Sequence, residues 1–110
     1  MNHVLKLRIT YGQLAALNQV WGYLDFLDET EPENRAIISM ARKLAEKLVK
    51  KQVSMQFGEQ KKDKRHTLSF EYYQAYFFEM LLRRSLNVFP EGYGQTVIHN
   101  IANELHRQLR

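Results

Sequence analysis

Cysteine is absent from the 110 residues. That excludes disulfides, thiolate metal sites and a cysteine nucleophile, and it fits a reducing compartment. Only two prolines and five glycines occur. Long apolar runs are missing as well. The most apolar stretch, residues 75–82, is interrupted by Glu79 and is far too short to span a bilayer. The first residues lack a basic segment followed by an apolar one, so no signal peptide is expected and the default reading is cytoplasmic, with no membrane association. Catalytic signatures are missing too. There is no G-x-S-x-G, no phosphate-binding P-loop, no G-x-G-x-x-G and no H-E-x-x-H, which points away from an enzyme and from a bound cofactor.

Hydrophobic residues make up 45% of the chain and charged residues 25%, with six Phe, six Tyr and one Trp. That supply is enough to build a core, and the length suits a single domain over residues 1–110. The net charge of +4 is unevenly spread. Residues 1–34 set Lys6 and Arg8 against five carboxylates, for a net of −3. Residues 35–66 carry ten Lys or Arg against Glu46, Glu59 and Asp63, for a net of +7, and the remainder is neutral. The basic excess therefore lies in the middle third.

Residues 4–10 alternate, with Leu5, Leu7 and Ile9 on one side and Lys6, Arg8 and Thr10 on the other. That is the period of a half-buried strand. Thr10 and Gln13 form a capping-box pair, which opens a helix carrying Leu14, Leu17, Val20, Trp21, Leu24 and Leu27 to about Asp28. Gly22 inside it costs about 1 kcal/mol relative to Ala. Trp21 is expected in the core, with Trp21→Ala costing roughly 3–5 kcal/mol. A second helix starts at the N-cap Thr30, with Pro32 in its first turn and Glu33 at N3. Its stripe is Ile37, Met40 or Ala41, Leu44 and Leu48. Residues 53–57 alternate and suit a third strand, though the helix could also continue through them. His66, Leu68 and Phe70 read as a strand, residues 71–87 as a helix apolar nearly all round, and residues 95–109 as the last helix.

Sliding the chain by 61 residues lays one half on the other without a gap. Leu7, Tyr11, Gln13, Ile37, Ala41, Leu44 and Leu48 fall on identical residues at 68, 72, 74, 98, 102, 105 and 109. The fold predicted from this is α+β and mostly helical. Two pseudo-symmetric strand–helix–helix units, 4–49 and 65–110, are joined by 50–64. Four helices would pack with a small antiparallel sheet of two or three strands. Ala15 and Ala16 fall on Tyr76 and Phe77, so a small pair could face a large pair across the two-fold.

Two candidate sites remain. Tyr72, Tyr73 and Tyr76 lie on the greasy third helix, and tyrosine tolerates a half-wet interface. They mark a non-catalytic interaction module that binds a second copy or a protein partner. The alternative is a nucleic-acid-binding accessory protein using the basic segment 43–65, with Lys47, Lys50, Lys51, Lys61, Lys62, Lys64 and Arg65 on phosphates. If six such cations neutralise phosphates on a duplex, log K should fall with log salt at a slope of about −5. The histidines suggest no metal site. His99 and His106 stand seven apart on one helix, whereas metal-binding helices place ligands three or four apart.

Overall fold

The computed structural model describes residues 4–57, 64–88 and 92–110. The elements run β1 (Val4–Ile9), α1 (Tyr11–Leu17), a 3-10 segment (Asn18–Phe26), α2 (Pro32–Phe57), β2 (His66–Glu71), α3 (Tyr72–Ser85) and α4 (Tyr93–Leu109). The molecule is mostly helical with one small antiparallel sheet, an α+β arrangement. No helix among the described residues is long and apolar enough to cross a membrane.

The alternating sequences do form the two strands. They pair antiparallel from Val4 opposite Glu71 to Ile9 opposite His66, with Leu7 opposite Leu68. Leu5, Leu7, Ile9, Leu68 and Phe70 are buried under the ribbon. A two-stranded ribbon is marginal alone, so this apolar face must be held by helices. Its edges are also engaged. Gln108 on α4 accepts from the backbone N–H of Lys6 and donates to its carbonyl at 3.0 Å. On the other edge the Lys47 ammonium of α2 donates to the Ser69 carbonyl and sits 4.8 Å above the Phe70 ring. These bonds occupy the middle of each edge, where a further strand would otherwise pair.

The capping box forms as the sequence specifies. Thr10 accepts from the Gln13 backbone N–H at 3.2 Å, and the Gln13 side chain accepts from the Thr10 N–H at 2.9 Å. At the start of α3, Gln74 accepts from the Glu71 N–H at 3.0 Å in the same way. The interval from the start of α1 to that of α3 is 61 residues, and the interval from α2 to α4 is the same.

Five expectations need correction. The first helix does not run as an α-helix to Asp28, because it tightens to 3-10 after Leu17. Asn18 is at the changeover. Its amide donates to the Leu48 carbonyl and to Gln52, and its oxygen accepts from the Trp21 indole at 2.9 Å. A helix of three residues per turn puts residues three apart in line, which suits that Asn18–Trp21 bond.

Thr30 is not the cap of α2. Its hydroxyl and its N–H are both spent on the Asp28 carboxylate, at 2.7 and 2.9 Å, and these bonds hold the Asp28 pKa below its ordinary value. Residues 53–57 form no third strand. They extend α2, since Met55 continues the buried stripe of Leu44 and Leu48 while Val53 and Ser54 are exposed.

Trp21 is half-buried at the rim of the core, stacked on Phe78 with ring centroids 5.9 Å apart. Part of its surface is already wet, so Trp21→Ala should cost about 2 kcal/mol, below the range for a fully buried aromatic. Chemical denaturation checks this, and a loss above that of Phe78→Ala would contradict the placement.

Most of the buried residues join into one connected cluster drawn from both halves of the chain. Its largest fully buried members include Phe70, Phe78, Leu14, Leu17, Leu44, Leu48 and Leu105. The apolar appearance of α3 divides between two sides. Ala75, Phe77, Phe78, Leu81, Leu82 and Ser85 are buried, and the tyrosines face outward. Tyr76 is 65% exposed, which removes it from the expected exchange of large for small residues in the core.

Candidate interaction surfaces

Tyr72, Tyr73 and Tyr76 are 50%, 58% and 65% exposed. Residues three and four apart are neighbours on a helix, so Tyr76 adjoins both of the others. The Tyr72 hydroxyl donates to the Leu109 carbonyl at 3.4 Å, tying this corner to the end of α4. Tyr73 lies on the opposite flank. With Gln74 and Phe77 it walls a cleft of about 100 Å³ whose other wall is Met40, Lys43 and Leu44 of α2. Met40 is itself 39% exposed. The tyrosines thus lie in one band from the end of α4, across α3, to the seam with α2.

The basic segment is more divided than its composition suggests. Lys61 and Lys62 lie outside the described residues. Lys47 is half-buried and engaged with the ribbon edge, and burial pulls its pKa below the usual lysine value against the opposing pull of Glu71. It braces the fold and is poorly placed to reach a ligand. Lys50, Lys64 and Arg65 are exposed and Lys51 is partly so. Lys51 and Lys64 both act on His66 at the start of β2. His66 is held below its ordinary pKa, first by local burial and then by these two cations. The end of α2 and the start of β2 therefore share one cationic corner.

Two cations escaped attention as site residues. Lys6 and Arg8 are exposed on the outer face of the ribbon, opposite Ser69 and Thr67. The signal was present, because the alternation that turns Leu5, Leu7 and Ile9 inward turns these outward.

An open hollow of about 890 Å³ along α2 mixes Glu29 and Glu46 with Arg35, Arg42 and Lys43. Glu79 receives Arg83 at 2.9 Å and His106 at 3.1 Å, a brace between α3 and α4. No group of His, Asp or Glu among the described residues could hold a metal ion. Glu104 accepts from Arg107 and from Gln108, the residue that engages the β1 edge, and its pKa is lowered to about 2. A carboxyl depressed in the folded state stabilises above its unfolded pKa. That contribution fades as pH falls from the ordinary value of 4.5 through the folded one. An NMR titration should place the Glu104 midpoint near 2, and Arg107→Ala should return it toward 4.5. A midpoint unchanged by that substitution would contradict the assigned cause.

No protein-family description, no curated protein and no solved structure matches this chain.

Proposed function

We propose that this chain is a non-catalytic interaction module that self-associates through the tyrosine band of α3. The observation that supports this most directly is the exposure of Tyr72, Tyr73 and Tyr76 on a helix whose other side is core. Clustered exposed aromatics beside an apolar seam are typical of interface centres, where tyrosine is enriched. Sedimentation of the full chain should show a monomer–dimer equilibrium in the micromolar range. Tyr73→Ser with Tyr76→Ser should weaken it by on the order of 30-fold or more if these are anchor residues. A monomer at all accessible concentrations would end the self-association reading.

The second reading is a nucleic-acid-binding accessory protein. What favours it is the convergence of Lys51 and Lys64 on His66, with Lys50 and Arg65 exposed nearby in the sequence.

We also read the chain as one domain built from two pseudo-symmetric strand–helix–helix units. The equal intervals between helix starts support this, as does the register that sets Leu7 against Leu68, the residue 61 positions on. The edge-bracing residues Lys47 and Gln108 are also 61 apart. Superposition of residues 4–48 on 65–109 in an experimental structure tests it, and a failure to overlay the strands and both helix starts would overturn it.

A further inference from the structure

We infer that the outer face of the β1–β2 ribbon is a docking surface for double-stranded DNA, inserted into the major groove. The inference rests on the nucleic-acid reading above but moves the specific contacts from the basic loop to the ribbon. Val4, Lys6 and Arg8 on β1, and Thr67, Ser69 and Glu71 on β2, are all exposed on this face. Register pairs Lys6 with Ser69 and Arg8 with Thr67, so each cation stands beside a hydroxyl.

These are side chains that can read base edges. Lys and Arg donate to guanine O6 and N7, and Ser and Thr serve any base. Two strands lie about 4.8 Å apart, so the ribbon is narrow enough for a groove about 12 Å wide. Its apolar underside is packed on the helices, and both of its edges are braced by side chains. The face is therefore presented on a supported element.

Charge complementarity selects the occupant. Glu71 is the one carboxylate among these six residues, and it pairs with Val4, at the far end of the ribbon from Arg8. At the Arg8 end the strand is preceded by Lys64 and Arg65, with Lys51 close enough to perturb His66. Those cations can hold the phosphates that flank the groove. Single strands are a poorer fit, since the face carries no aromatic on which a base could stack. Duplex RNA is poorer still, because its major groove is too deep and narrow for side chains to read.

The test is fluorescence anisotropy of the full chain with a short mixed-sequence DNA duplex at low salt, with a duplex RNA of the same sequence alongside. Lys6→Gln with Arg8→Gln should weaken DNA binding by about tenfold or more and reduce the salt slope by about 2. Both side chains are exposed, so the thermal melt of this variant should match the parent. Lys50→Gln with Lys64→Gln, an equal change in charge, should weaken DNA of every sequence uniformly. The parent should also shield guanine N7 from methylation. If the parent binds DNA but the Lys6/Arg8 variant binds as tightly, or guanine N7 stays reactive, or duplex RNA binds equally well, the ribbon assignment is overturned and the nucleic-acid reading stands. If the parent binds no DNA at low salt, both fall.

Discussion

Phe78→Ala is expected to lower the unfolding free energy by about 3–5 kcal/mol. Phe78 has no exposed surface, and its ring lies between two other aromatics, with centroids 5.9 Å from Trp21 and 5.6 Å from Phe70. Truncation removes the transfer free energy of the ring. It also leaves a space that three elements border: the 3-10 segment, β2 and α3. Two of those neighbours are rigid aromatic rings, and neither collapses easily into a gap. The cost should therefore lie toward the upper end of the range. Domains of this size are stable by only about 5–15 kcal/mol, so the variant should lose a large fraction of its stability. Urea denaturation with matched slopes reads it, and a loss under about 1 kcal/mol would mean that Phe78 is not between those rings.

Leu44→Ala and Leu105→Ala should each cost about 2–5 kcal/mol, and by similar amounts. Leu44 on α2 is 2% exposed and Leu105 on α4 is fully buried. The two residues are 61 positions apart. Leu→Ala costs depend strongly on how far the surroundings can relax, so equal costs require equivalent surroundings. The two pseudo-symmetric units proposed above would supply such surroundings. One observation works against the equality. Leu44 borders the small cleft under Tyr73, where side chains have room to move and part of the gap could close. A modestly smaller cost for Leu44 is compatible with that cleft. A cost at the surface level, within about 0.5 kcal/mol of zero for either residue, would contradict its place in the core.

Much of the architecture could be read from local pattern. The alternation of residues 4–9 and 66–70 identified both strands and their inward faces, because a period of two leaves no choice of side. Gln13 marked one helix start by a mechanism confined to four residues. The stripe from Ile37 to Leu48 marked α2.

Readings that depended on distant partners fared less well. The strand-like run at 53–57 became helix because Met55 finds the core, which no local window contains. Thr30 was captured by Asp28 in place of capping α2. The 3-10 segment turns on Asn18 reaching Leu48 and Gln52, some thirty residues on. The candidate sites followed the same division. The tyrosines were named from composition, and their exposure came from packing. Lys47 looked like a free cation until the ribbon edge engaged it, and Lys6 and Arg8 went unnoticed because short strands with two cations are ordinary.

The positions of both strands, their inward faces and the stripe of α2 were determined by the sequence alone, since hydrophobic period and capping act over a few residues. Tertiary structure decided which cations are spent inside the fold, which tyrosines reach solvent and where α1 tightens. Those outcomes depend on groups far apart in the chain meeting in one packed core, where burial and hydrogen bonding are settled together.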